Sequence, residues 1–269
     1  MSEQHVVGVK KDGLFYITLN RPDKRNAITF EMLVDISKMV EELIFDPEVR
    51  VVIIRGEGKA FSAGADFQSL AMLLGRFTQE VAAGGASIRA DIHQYQQYLN
   101  RMEAIEIPII CVMHGAALGM SLELALACDI RLMSDDCTWG MYETKFGVIP
   151  DLGGTARLAE LVGAPRAMEI LMASRNYPAE TALRFGLVNH LYPADKLFDE
   201  ADSLARDIAK CAPLAVGAVK KICQRGRGVD LMTRLDMEVN LQSQLLRTED
   251  FTEGITSMME GRAANWKRK

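Results

Sequence analysis

The 269-residue sequence has no apolar run of the roughly 18 residues that a membrane-spanning helix needs. Its opening residues, MSEQHVVGVKKDG, lack the apolar core of a signal peptide. Neither G-x-G-x-x-G nor G-x-x-x-x-G-K-[ST] occurs, which argues against a dinucleotide or P-loop site. Ser121 stands in Gly-Met-Ser-Leu-Glu and not in the G-x-S-x-G nucleophile elbow. The four histidines, at 5, 93, 114 and 190, have no metal-ligand spacing, so no metal site is expected. The five cysteines form no C-x-x-C pair and sit mostly in apolar runs, as free thiols of a reducing, cytoplasmic protein do. A net charge of -5 supplies no field that favours nucleic acid or an anionic membrane. Neither partner is expected. What remains, with 49% apolar and 25% charged residues, has the composition of an ordinary globular protein.

The stretch 108–154 organises the rest. An apolar run at 109–113 suits a buried parallel strand, His114-Gly115 ends it, and small residues lead into a helical pattern at 122–127. Before this stretch, residues 5–20 read as two strands joined at Lys11-Asp12-Gly13. Thr29 can cap a helix whose apolar residues keep 3–4 spacing up to Ile44. A strand follows at 51–54, then a Gly/Ala-rich loop in which Asp66 is placed to cap a helix starting near Phe67. Residues 78–86 read as a mobile surface segment and 88–103 as a helix. Strands at 129–133 and 138–141 precede a helical remainder: 154–162, 165–173, 179–185, 196–212, 214–225, 231–246 and 248–259. Strand–helix alternation predicts an α/β core with an appended helical region.

Two features can carry chemistry. Gly/Ala-rich strand-to-helix turns at 63–66 and 118–121 leave helix-start N–H groups without intrahelical partners, and two such groups can clamp one carbonyl oxygen. Singly, either turn reads as tight packing against a sheet. The other feature is a pair of acids, Glu123 inside an apolar helix and Glu143 beside Tyr142. A lone buried carboxylate costs several kcal/mol or becomes neutral, so paired acids suit acid/base work. Spacing alone slightly favours a structural acid for each. Asp151 and Asp66 read most simply as helix N-caps.

At these residues the chain resembles the crotonase, or enoyl-CoA hydratase/isomerase, superfamily, and most of all enoyl-CoA hydratases. The likeness runs from Asn20-Arg21-Pro22 to Gly261-Arg262. It is most specific at KAFSAGAD (59–66), at HGAALG (114–119), at Glu123-Leu124-Ala125 with Cys128-Asp129, and at Gly153-Gly154-Thr155. The resemblance implies a crotonase-like (ββα)n spiral core binding acyl-CoA over 1–200, and a helical trimerisation region over 201–269. It implies a homotrimer or dimer of trimers, in fatty acid metabolism. Coenzyme A would be part of the substrate, with no separate cofactor.

The resemblance also assigns residues. Amides of Ala65 and Met120 would hold the thioester oxygen, Met120 standing where the family usually has glycine. Glu123 would orient and activate water, and Glu143 would transfer the proton at C2. Asp151 stands where hydratases usually have glycine, and an acid there resembles dienoyl-CoA isomerases. A double-bond isomerase using Glu143 and Asp151 is therefore the alternative. Lys24 and Lys59 would meet the CoA phosphates and adenine, with Ala63, Asp66 and Gly119 in the substrate site. Phe67, Met72 and Trp139 would line or shape the acyl pocket. Arg262 or Lys267 would reach a neighbour's CoA.

Overall fold

Asp12 and Gly13 take left-handed φ values of 50° and 78°, so the Asp-Gly pair closes a tight hairpin. It joins β1 (Val6–Lys11) to β2 (Leu14–Leu19) in antiparallel register. In this computed structural model, which describes residues 4–80 and 85–269, Thr29 Oγ accepts the Met32 amide at 3.3 Å. That cap starts α1 (Phe30–Glu42), whose 3–4-spaced Met32, Leu33, Ile36 and Val40 are buried. β3 (Val51–Gly56) follows, then α2 (Phe67–Glu80) and α3 (Ala86–Ala104). Of the segment 78–86 expected to be mobile, 78–80 end α2, Ala86 opens α3, and 81–84 lie outside the described residues.

The central stretch supplies β4 (Ile109–Met113), β5 (Ala116–Leu118), α4 (Met120–Leu126), β6 (Ile130–Ser134) and β7 (Thr138–Gly140). Next come α5 (Gly154–Val162), α6 (Ala164–Ala173), β8 (Tyr177–Pro178), α7 (Ala179–Phe185) and β9 (His190–Tyr192). Four helices complete the chain: α8 (Leu197–Ala209), α9 (Pro213–Arg225), α10 (Leu231–Leu245) and α11 (Glu249–Glu260).

Six strands form one sheet in the order β1-β2-β3-β4-β6-β9, parallel from β2 onward. A second sheet, β5-β7-β8, stands beside it, and an isolated bridge pairs Ser62 with Ala117. Each passage of the chain thus lays one strand in the large sheet and the next in the small one before a helix returns it. The turn after β3 reaches the small sheet through Ser62, β4 continues into β5, and β6 into β7. Side chains alternate between the faces of the large sheet as strand geometry requires. Val52, Ile54, Ile109 and Cys111 join one core, while Val51, Ile53, Ile110 and Val112 join the other.

The second core is closed by Leu197, Ala201 and Ala205 of α8. A boundary at 200/201 therefore cuts a helix that belongs to the sheet. By packing, the appended helices begin at α9. The tail after α11 folds back: the Trp266 indole donates to the Lys210 carbonyl at 2.7 Å, and Arg268 donates to the Asp46 and Val49 carbonyls. Among the described residues, no helix is long and apolar enough to cross a membrane.

Candidate active site

Both Gly/Ala-rich turns lie at the junction of the two sheets, and the chain sews them together. Ser62 N–H donates to Ala116 O at 3.0 Å, and Leu118 N–H returns to Ser62 O at 3.2 Å. Ser121 Oγ–H donates to Leu118 O at 2.8 Å. Gly64 has φ +94°, and a Cβ there would stand 2.7 Å from the Leu118 carbonyl oxygen. Gly119 has φ +51° and anchors its amide on Gly140 O at 2.8 Å. Two left-handed glycines thus let two strand-to-helix turns touch. Ala65 follows Gly64 and Met120 follows Gly119. Met120 is the first residue of α4, where an N–H has no intrahelical partner. The Ala65 N–H likewise makes no hydrogen bond within the described residues. The Met120 side chain finds its room in the main core.

Glu123 lies one turn into α4, a helix buried along its whole length, and is 2% exposed. Its Oε1 accepts the amides of Leu152 at 2.8 Å and Gly154 at 3.0 Å. Gly154 is required by closeness, because a Cβ there would be 2.8 Å from that oxygen. Burial, then the charges of Glu143 and Asp151, push the Glu123 carboxyl up to about 8. The two amides oppose this and are outweighed.

Glu143 begins a single 3-10 turn over Glu143–Phe146. Its carboxyl lies against the second glycine-rich turn, with Oε1 2.9 Å from where a Gly119 Cβ would be. Its Oε2 is buried without a hydrogen-bond partner. Burial raises this carboxyl too, and Asp151 adds to the effect. Asp151 is half-buried and likewise raised by burial.

Asp151 is not a helix cap. The N-cap of α5 is Gly153, and no side chain bonds there. At this helix start Glu123 takes up the Leu152 and Gly154 amides, and the aspartate carboxyl is left facing the other two acids. Three acids therefore gather where the spacing of the chain suggested two. Asp66, by contrast, is a cap: Oδ1 accepts the Gln68 and Ser69 amides, each at 3.0 Å, and Oδ2 pairs with Arg21 at 2.9 Å. Burial works against its ionisation, but the Ser69 amide and Arg21 win and lower it. With both oxygens engaged, the Asp66 carboxyl shapes the turn.

The loops bearing Lys24 and Lys59 are brought together by Asn26, a fully buried residue that the sequence did not single out. Its amide donates to the Glu57 and Ala60 carbonyls, both at 2.8 Å, and Ala63 N–H donates to Arg25 O at 2.8 Å. Both lysines are exposed on this joined loop surface. Phe67 and Met72 are also exposed. Phe67 meets Phe146 edge-to-face, centroids 5.7 Å apart, so α2 and the Glu143 turn share an aromatic wall.

Trp139 does not shape this pocket. It is fully buried, stacked on Tyr177 at 4.9 Å, with its indole N–H on the Pro178 carbonyl at 3.0 Å. Arg262 is held in its own chain by Glu253 and Glu260, and the Lys267 ammonium lies 3.6 Å from Glu249. Among the described residues no group of three His, Cys, Asp or Glu side chains is arranged to hold a metal ion.

A spiral of strand pairs with two glycine-closed turns beside buried acids forms a site that can hold a carbonyl oxygen and move a proton, and known proteins share it. The sequence model of the enoyl-CoA hydratase/isomerase family matches residues 9–269. The chain is 32% identical to a short-chain-enoyl-CoA hydratase of Clostridium acetobutylicum, covering 97% of each chain. It is 30% identical to a peroxisomal Delta(3,5)-Delta(2,4)-dienoyl-CoA isomerase of Arabidopsis thaliana, covering 91% and 90%. The solved enoyl-CoA hydratase of Bacillus anthracis superposes with a TM-score of 0.88 at 30% identity, over 99% of this chain and all of that one. The protein belongs to the enoyl-CoA hydratase/isomerase family and has the crotonase fold.

Proposed function

We propose that the protein is an enoyl-CoA hydratase, adding water across the 2,3 double bond of an enoyl-CoA thioester. The observation that carries this reading is the pairing of Glu123, pinned by two amides, with Glu143, whose Oε2 is buried and unpartnered. The Ala65 and Met120 amides form the oxyanion hole and hold the thioester oxygen as negative charge develops. One such donor typically contributes about 2.7–4 kcal/mol to the transition state. Water must lose a proton as it attacks C3, and C2 must gain one. The working pair therefore holds one proton between two carboxyls. Burial raises both acids, which supports a single shared proton at neutral pH.

Glu143 makes the C2 transfer, and Glu123 orients and activates water. In the free protein the shared proton favours the deeper Glu123, so water's hydrogen bonds to Glu123 must draw it into the ionised form when substrate enters. Lys24 and Lys59 meet the CoA phosphates, and Phe67 lines the acyl chain. The chains self-associate through the helices after α8, as a homotrimer or dimer of trimers.

The test is incubation with short and medium trans-2-enoyl-CoA, following loss of the conjugated thioester absorbance and a product mass larger by one water. Turnover is expected in the wild type. Glu123→Gln and Glu143→Gln should each lose about 10²–10⁴ in rate. No hydration at any chain length rejects the reading.

The position of Asp151 supports a second one, a double-bond isomerase that moves one proton along the acyl chain between Glu143 and Asp151. Its carboxyl is not spent on a cap, and it faces both glutamates. That enzyme turns over 3-enoyl- or 3,5-dienoyl-CoA without mass gain, and Asp151→Asn abolishes the reaction.

A further inference from the structure

We infer that Gln96 and Arg157 are positioning residues for Glu123: Gln96 holds one of the two peptide groups that donate to its carboxylate, and the Arg157 side chain holds the peptide between them. The inference rests on the reading of Glu123 as the acid that handles water.

The geometry is a short relay. The peptide between Asp151 and Leu152 gives its N–H to Glu123 Oε1 at 2.8 Å, and its C=O accepts Gln96 Nε2 of α3 at 2.7 Å. The peptide between Gly153 and Gly154 gives its N–H to the same oxygen at 3.0 Å, and its C=O accepts the Arg157 amide at 2.9 Å. The carbonyl between them, that of Leu152, accepts Arg157 Nη1 at 2.9 Å. Three consecutive carbonyls are thus held, two by side chains and that of Gly153 by the first backbone bond of α5. A peptide that accepts at one end donates more strongly at the other.

The grip is itself braced. Arg157 Nε and Nη2 fork onto Glu103 of α3 at 3.0 and 2.8 Å, and Nη2 also donates to Asn100 at 2.6 Å. Gly153 makes room for it: with φ +99°, a Cβ there would stand 2.0 Å from Arg157 Nη1. Gln96, Asn100, Glu103 and Arg157 form a wall of a cavity of about 520 Å³ behind the loop. On the inner side, Glu143 and Asp151 are the charged groups facing Glu123. On the outer side Arg227 also pairs with Glu103, at 3.1 Å. Gln96 is uncharged and bonds the loop at the Asp151 carbonyl, so it acts through the backbone, and Arg157→Lys keeps the charge while changing the grip.

Gln96→Met keeps the length of the side chain and removes its donor. Glutamate-labelled ¹³C NMR, with the Glu123 signal assigned by its loss in Glu123→Gln, reads the titration of that carboxyl directly. The expected result in Gln96→Met is a Glu123 titration moved up by about half a pH unit, since weaker N–H donation favours the neutral form. The acid limb of kcat/KM for enoyl-CoA should move the same way, with KM within about twofold, a split that loss of general stability does not produce. Arg157→Lys, which cannot fork onto Glu103 and still reach Leu152, should shift it the same way by loosening the carbonyl between the two donating peptides. An unchanged Glu123 titration in a folded Gln96→Met overturns the inference. If that variant fails to fold by circular dichroism, Gln96→Asn takes its place: one methylene short of the Asp151 carbonyl, it should raise the Glu123 titration too, and an unmoved titration overturns the inference equally. If the wild type hydrates no enoyl-CoA, the hydratase reading falls alone, and the NMR titration still judges the clamp.

Discussion

Glu123 is where the molecule's chemistry and its stability pull in opposite directions. Its ordinary value is 4.5 and the folded environment pushes it to about 8, first by burial and then by Glu143 and Asp151. Between those values the folded chain binds a proton that the unfolded chain has released, so stability falls as pH rises through that window and levels off above it. Glu123→Gln removes the titration, and its side-chain oxygen can still accept the Leu152 and Gly154 amides. The variant should therefore gain on the wild type as pH rises from about 5 to 8, by up to about 1.4 kcal/mol per pH unit. Urea melts of both proteins at several pH values check this. Melting curves that stay parallel across the window would show that the carboxyl titrates as if exposed. The same substitution should cripple hydration, which separates a residue kept for chemistry from one kept for folding.

Among the elements, the two turns that carry Ala65 and Met120 matter through their contact with each other. Gly64→Ala must place a Cβ 2.7 Å from the Leu118 carbonyl oxygen at a φ of +94°. Gly228 is also left-handed, at +68°, but a Cβ there meets nothing within 4 Å. Both alanine variants bear the left-handed strain, about 1–2 kcal/mol, and only Gly64→Ala forces the turns apart. Steady-state kinetics should show kcat lowered at least tenfold in Gly64→Ala and near wild type in Gly228→Ala; equal losses in both would mean that strain alone matters. The sequence made these turns visible because glycine and alanine crowd there, and it revealed most strands and helices through their periods of 2 and 3.6. It placed Asp151 wrongly, because an aspartate ahead of Gly-Gly looks like a cap, whereas the amides at that helix start belong to Glu123. It placed Trp139 wrongly as well, since a large aromatic near a site reads the same whether it faces the ligand or the core. Gln96 and Arg157 gave no signal, because the contact of Gln96 to the loop and those of Arg157 to α3 span 54 to 57 residues of chain, and no short motif records such a pairing.

At the scale of the whole molecule, the appended helices are too apolar for the solvent they face. Val219 of α9, Met232 and Val239 of α10, and Ile255, Met258 and Met259 of α11 are all about half exposed or more. In α10 no residue is buried at all. A 15-residue helix with no buried face gains little from its own chain, because helices in proteins are stabilised mainly by packing an apolar side. The proposed trimer supplies that packing. Sedimentation equilibrium should give three or six times the 29.8 kDa chain mass. Met232→Glu with Val239→Glu, two exposed positions on α10, should dissociate the assembly by placing charges in an apolar contact. Loss of assembly should lower the melting temperature and make it depend on protein concentration. A wild-type chain that sediments as a monomer at micromolar concentration would contradict this, and α10 would then owe its helix to its Asp230 cap, whose carboxylate accepts the Thr233 amide at 3.1 Å, and to its contacts within the chain, those with α9 foremost.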